Sequence, residues 1–245
     1  MLSSPAPIPR ITTLCLLAHA GGCAQRYLPL LPQLAQAIRL VPIELPGHGE
    51  HLSERPLETL EAMTDYIAER IPEAAPQEIA IFGHSMGGML AYLTAKHFAD
   101  HGETNKVGRL ILSCCHVPGY TRLPRDILGM DLKTFRRTAD RHPGIPREVL
   151  ASPELSDLFL PPLLTDFKAI LREPRQTLTP LPIPIDLIAA TEDNYPIEEQ
   201  LVWRGATTER FRIRRIPGEH FYLTDRPGLL ERTLFRILDL PGRPQ

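Results

Sequence analysis

Short, mainly apolar runs alternate along this chain with longer segments in which apolar positions recur every three or four residues. The runs are Ile11–Leu17, Ile38–Ile43, Glu78–Phe82, Leu110–Ser113, Ile185–Ala190 and Phe211–Ile216. Runs of this length, bounded by Gly and Pro, predict strands buried on both faces, as in a parallel sheet. The segment Leu57–Ile71 follows a proline and carries Leu60, Met63, Ile67 and Ile71 at helical spacing. Ser85–Asp100 places Ala91, Ala95 and Phe98 on one helical face. Asp225–Leu238 predicts a helix capped by Asp225, with Pro227 in its first turn and a stripe of Leu230, Leu234, Ile237 and Leu238. Repeated strand-then-helix units predict a mostly parallel, doubly wound sheet.

Residues 117–176 interrupt the rhythm. No strand pattern occurs there. Helical stripes take its place, first Leu128, Leu132 and Phe135, then Leu163, Leu164, Phe167, Ile170 and Leu171, with Pro161 and Pro162 expected at the start of the second. A helical insertion at the carboxyl edge of such a sheet would cover the site as a lid; a plain packing subdomain is the alternative.

Composition narrows the classes. At 245 residues with 43% hydrophobic and 23% charged positions, one globular domain spanning 1–245 is expected. Many of the prolines fall at loop edges, and Thr179–Pro184 reads as a stiff connection. A net charge of −2 offers no basic field for nucleic acid or a membrane surface. Cys15, Cys23, Cys114 and Cys115 do not form a disulfide framework, because two are adjacent, and no CxxC pair is present. Reduced thiols in a cytoplasmic monomer are expected. Arg10 before the run Ile11–Ala20 faintly resembles a signal peptide, but His19 interrupts the run. No stretch reaches the ~18 apolar residues that span a bilayer.

The chemistry begins at Gly83-His84-Ser85-Met86-Gly87, a G-x-S-x-G placed between a predicted strand and a predicted helix. That context sets a serine on a sharp turn, and glycines at 83 and 87 remove Cβ atoms that would clash there. The fold that carries this motif is the α/β-hydrolase fold. A tight turn holding an inert serine is the bland alternative. His19-Ala20-Gly21-Gly22 follows the first strand, where this fold takes one oxyanion donor; the residue after the nucleophile supplies the other. The expected donors are the backbone N–H groups of Ala20 and Met86, each contributing about 3 kcal/mol to the transition state. In this fold the order is Ser, acid, His. Of the histidines after Ser85, His97 and His101 lie on the following helix, His142 lies in the insertion, and His116 follows a strand. His220, after the last strand, is therefore the expected base. Asp193 ends the preceding strand and is the expected acid, with Glu192 as a poorer alternative; Asp186 lies at that strand's wrong end. Cys114-Cys115-His116, at the other place where the fold can carry its acid, has no carboxylate. His84 is expected to point away from Ser85. No histidine–carboxylate spacing suggests a metal, and neither G-x-G-x-x-G nor a P-loop suggests a nucleotide cofactor, so no cofactor is expected.

Taken together, the chain resembles a type II thioesterase, the stand-alone editing enzyme of nonribosomal peptide and polyketide synthesis. The resemblance rests on Leu17–Gly22, Leu45-Pro46-Gly47-His48-Gly49, Gly83–Gly88, Pro161–Phe167, Thr191-Glu192-Asp193, Trp203 and Gly218–Leu223, in the family's order. Two positions differ: Glu219 stands where the family often has Gly, and His48 where it often has Arg. The resemblance implies hydrolysis of acyl or aminoacyl thioesters from the phosphopantetheine arm of acyl or peptidyl carrier proteins, and it implies the lid. A small-molecule carboxylesterase or lipase with the same triad, and a non-catalytic binding protein of the same fold, are the rival readings.

Overall fold

The computed structural model describes residues 11–73, 78–141, 145, 147–175, 177–226 and 228–241. His142 and Pro227 lie outside the described residues. Six strands form one sheet: β1 Thr13–Leu17, β2 Arg39–Pro42, β3 Ile79–His84, β4 Arg109–Ser113, β5 Ile185–Ala190 and β6 Phe211–Ile216. Each coincides with a predicted run to within two residues. Their order is β2-β1-β3-β4-β5-β6, with every neighbouring pair parallel. This is the α/β-hydrolase architecture expected from the sequence.

Successive strand residues face opposite layers. Cys15, Leu17, Ile79, Ile81, Leu110, Leu112, Ile185 and Leu187 join a core with α2 Leu60–Ala68, α3 Met86–Asp100 and the helices between β4 and β5. Leu14, Leu16, Ala80, Phe82, Ile111 and Ile188 join a second core with α1 Leu34–Ala37, α8 Tyr222–Asp225 and α9 Leu229–Ile237. Burial on both sides explains why the strands read as continuous apolar runs. Between β4 and β5 lie a 3-10 turn at Arg125–Gly129, α4 Leu132–Thr138, α5 Arg147–Ala151 and α6 Pro153–Arg172; α7 Ile197–Gln200 follows β5. The described part of 117–176 contains no strand. No described helix is long and apolar enough to cross a membrane.

Two boundaries differ from the pattern-based expectation. Pro161 and Pro162 do not start a helix; they sit inside α6, which begins at Pro153 behind the Ser152 cap, whose hydroxyl accepts from Leu155 N at 3.2 Å. An interior proline costs about 3 kcal/mol. Leu160, Leu163, Leu164, Phe167, Ile170 and Leu171 are buried along the same helix, and that burial outweighs the lost bonds. Asp225 does not cap the last helix either. It closes the short α8, because Tyr222 and Leu223 are drawn into the core, and α9 restarts after Gly228 at φ 81° without a side-chain cap.

β2 and β3 flank β1 on opposite sides, so the chain departs from β1 in both directions. The loops after β1 and after β3 therefore separate at the carboxyl edge and leave a crevice there. Across the second core, the Glu231 carboxylate on α9 accepts from the backbone N–H groups of Gln33 (2.7 Å) and Leu34 (2.9 Å) and so caps α1. Glu231→Ala orphans the buried Leu34 donor and removes the Gln33 bond, and is expected to lower unfolding free energy by about 1–3 kcal/mol, measured by denaturant titration.

Candidate active site

Ser85 is the single residue between β3 and α3. Its backbone sits at φ 56°, ψ −118°, a region that non-glycine residues rarely occupy and that stores about 1–3 kcal/mol of strain. Two hydrogen bonds hold the turn: Ser85 N donates to Ser113 O at 2.8 Å, and Gly88 N donates to Ser85 O at 2.9 Å. A Cβ at Gly83 would lie 2.0 Å from the Gly87 carbonyl oxygen, and one at Gly87 would lie 2.4 Å from that of Leu17. The strand can thus fold directly back into the helix and press its first turn against the end of β1. His84 turns its Nδ1 toward β4. It is fully buried, with Nδ1 3.0 Å from Ser113 Oγ, itself 3.0 Å from Tyr222 OH. Burial, with smaller contributions from His220 and His19, pushes its pKa well down and keeps the ring neutral.

The loop after β6 brings His220 back over the elbow, its ring centroid 5.0 Å from that of His84. Its Nδ1 lies 3.1 and 3.2 Å from the two Asp193 oxygens, and the Asp193 side chain is fully buried. Tyr195 N adds a bond to Asp193 Oδ1 at 3.2 Å. Glu192 is exposed, so the structure brings Asp193 to His220 and leaves Glu192 outside. Among the described residues the Ser85 hydroxyl makes no hydrogen bond to His220; in free enzymes such contacts are often long and tighten with substrate. His19 completes the arrangement, 6.1 Å from His84 and 5.0 Å from Phe221 between ring centroids. Its burial lowers its pKa to about 4, so this ring too is neutral. Of the expected oxyanion donors, Ala20 sits on the loop after β1 and Met86 opens α3.

Three features were not legible in the linear sequence. Cys114 lies at φ 48° at the end of β4, and its sulfur, the Asp193 carboxylate and a His220 nitrogen lie within 4.8 Å of one another. Such a trio could hold a metal ion, and no spacing rule finds it because it comes from the ends of three strands. In the structure the carboxylate and imidazole bond each other, and burial, then Asp193, pushes the Cys114 thiol pKa well up. Tyr195 packs against both His116 (3.8 Å) and His220 (5.3 Å). Finally, Asp166 on α6 is completely buried and accepts from His48 Nε2 at 2.9 Å and Gly21 N at 2.7 Å. A carboxylate between Leu163 and Phe167 on an apolar stripe was the only available signal for it.

The pattern of the thioesterase domain matches residues 12–238. The chain belongs to the thioesterase family. It is 32% identical to thioesterase TesA of Mycobacterium marinum over 86% of this chain and 84% of that protein. The RedJ thioesterase of the prodiginine biosynthetic pathway in Streptomyces coelicolor superposes with a TM-score of 0.80 at 27% identity, covering 98% and 96% of the two chains. ClbQ, from the colibactin nonribosomal peptide/polyketide pathway, superposes with a TM-score of 0.77 at 25% identity, covering 94% and 99%. This thioesterase is therefore a hydrolase similar to the stand-alone enzymes of such pathways.

The elbow of the thioesterase carries its own stability test. Gly83→Ala drives a methyl into the Gly87–Gly88 backbone and is expected to destabilise by about 1–3 kcal/mol or more, read as a lowered thermal midpoint. Gly205→Ala, whose Cβ would meet nothing within 4 Å, should leave the midpoint in place.

Proposed function

We propose that this thioesterase hydrolyses acyl or aminoacyl thioesters presented on the phosphopantetheine arm of acyl or peptidyl carrier proteins, in peptide or polyketide biosynthesis. The observation that carries the site assignment is the buried Asp193 carboxylate on His220 Nδ1, beside a serine on a strained strand–helix turn. Ser85 is the nucleophile, His220 the base and Asp193 the orienting acid. His220 Nε2 takes the Ser85 proton as Oγ attacks the thioester carbonyl. The oxyanion forms against the N–H groups of Ala20 and Met86. The C–S bond breaks, and the imidazolium returns its proton to the departing thiol. Water, deprotonated by the same imidazole, then cleaves the acyl-serine and releases the acid. Asp193 fixes the tautomer with Nε2 free for this work and stabilises the transient imidazolium. The helices of 117–176 act as a lid over the acyl group, and the setting is the cytoplasm, where carrier arms are loaded. The family membership and the likeness to ClbQ and RedJ support the substrate class.

Ser85→Ala should abolish turnover while the protein stays folded, and a fluorophosphonate probe should label Ser85 alone. Asp193→Asn should reduce kcat by up to ~10⁴-fold, through the wrong imidazole tautomer, and Glu192→Gln should do far less. The reverse order would move the acid to Glu192.

Docking of an acidic carrier is assigned to the basic face of the insertion, which includes exposed Arg125, Lys133, Arg136 and Arg137. Arg136 is paired with Asp157 and Arg122 with Glu199, so Lys133 and Arg137 are the better targets; the side chains of Arg141 and Arg147 lie outside the described residues. Lys133→Glu with Arg137→Glu should lower the second-order rate on a carrier-bound thioester and flatten its salt dependence, while turnover of a small acyl thioester barely changes. A parallel loss on both substrates would place these residues in the fold or the pocket instead.

A further inference from the structure

Helix α6 reaches the loop after β1 through two contacts. A Cβ on Gly21, at φ 66°, would lie 2.9 Å from Leu163 Cβ, so the helix packs directly on the loop backbone. One turn further on, Asp166 Oδ2 accepts the Gly21 N–H at 2.7 Å. The same oxygen faces His48 Nε2 at 2.9 Å, and His48 Nδ1 lies 3.1 Å from the Pro46 carbonyl oxygen. His48 and the Asp166 carboxylate are buried, with side-chain exposures of 3% and 0%. Asp166 Oδ1 has no hydrogen-bond partner among the described residues. A cavity of about 10 Å³, room for one water, is bordered by His19, Gly22, Glu44, His48 and Met86, so His48 stands directly behind the loop.

With Asp166 ionised, counting donors sets the state of His48. A carbonyl oxygen only accepts, so Nδ1 must carry a proton. A carboxylate oxygen that already takes the Gly21 N–H also accepts, so Nε2 must carry one too. Both ring nitrogens are donors only in the imidazolium. Beside an ionised Asp166, neutral imidazole would set a lone pair against one of the two oxygens; a neutral pair needs its proton on Asp166 Oδ2, facing Nε2.

We propose that Asp166, held by the imidazolium of His48, is a positioning residue that clamps the loop His19–Gly22 against α6 and so keeps the Ala20 N–H aimed at the oxyanion. This rests on Ala20 and Met86 being the oxyanion donors. Asp166 touches neither substrate nor reacting atoms; it acts through Gly21, the residue next to the donor. Other titratable groups that act on the pair are Glu44, which acts on His48, and His19, which interacts with both members. His19 is already neutral, and Glu44 favours the same charge on His48 as Asp166 does.

The sign of the pH dependence follows. Burial alone would lower the His48 pKa, but the charge and hydrogen bond of Asp166 outweigh it, with help from Pro46 O and Glu44, and the net shift is upward. The clamp is fully present below the ordinary histidine value of ~6.5 and is lost as pH rises through the raised value in the folded protein. Activity should therefore fall as pH rises through that value, the clamp setting the alkaline limb.

The test compares wild type, His48→Arg, His48→Gln and Asp166→Asn on a small acyl thioester from neutral to alkaline pH. Circular dichroism confirms folding, and the amide exchange protection factor of Gly21 is measured in parallel. Wild-type kcat is expected to fall on the alkaline side with KM little changed. His48→Arg, a permanent cation, should abolish that fall. His48→Gln and Asp166→Asn should lower kcat at all pH values by roughly tenfold to a hundredfold, the range for a displaced transition-state donor. Gly21 protection should drop in step, and in wild type it should drop at alkaline pH, a measurement that needs no variant. An alkaline fall that persists in folded His48→Arg, or full kcat in Asp166→Asn, overturns the proposal. Gly21 protection that ignores Asp166→Asn and pH overturns the clamp itself, even with Ser85→Ala inactive. Protection that follows the variants while kcat does not overturns the proposal through its oxyanion assignment.

Discussion

A serine held at φ 56° between a strand and a helix is a backbone state that must be imposed from outside, since local sterics resist it. Everything around it serves that constraint. β4 supplies the carbonyl that ties down the Ser85 amide. Gly83 and Gly87 let two backbones approach to distances that any side chain would forbid. The close approach of α3 to the end of β1 also sets the loop carrying Ala20 beside Met86. A parallel sheet whose order departs from its first strand in both directions leaves a crevice at that point. The elbow occupies one wall of the crevice and the glycine-rich loop the other.

Polar groups beneath this site are few, buried and sorted by charge. His84 and His19 are kept neutral by burial, so the elbow is lined by imidazoles that add no charge next to His220. Ser113 joins His84 to Tyr222 and so ties the strand under the nucleophile to the helix just beyond the base. Burying charge near a reacting centre is expensive unless it is paired. Of the buried carboxylates, Asp193 and Asp166 each face a histidine nitrogen and at least one backbone N–H.

Much of this was legible in order along the chain. The four central strands are buried on both faces and therefore stand out as runs, while the edge strands β2 and β6 are partly exposed and carry Arg39, Arg212, Arg214 and Arg215. The elbow announces itself through two glycines that no other residue could replace, and His220 and Asp193 through their places after strands. What escaped did so for definable reasons. Helical periodicity resumed across Pro161 and Pro162, and the general penalty for interior proline suggested a boundary there, whereas burial of Leu160 to Leu171 outweighs that penalty. Asp225 looked like a cap because Tyr222 and Leu223 carry no local sign that they fold inward. Asp166 carries no sign of its role beyond being a carboxylate within an apolar stripe. Its partners are at positions 21 and 48, and no linear pattern pairs residues so distant.

The contact of Leu163 and Asp166 with residues 21 and 48 bears on how this protein can be re-engineered. The insertion between β4 and β5 looks like an interchangeable module, because it enters and leaves at adjacent strands of the sheet. It is not one. A chimera carrying a foreign insertion would meet the loop after β1 with the wrong methyl group over Gly21 and no carboxylate for its amide. The unit of exchange is therefore discontinuous: the helix travels with Gly21 and His48, or the graft arrives without the surface it was shaped to fit.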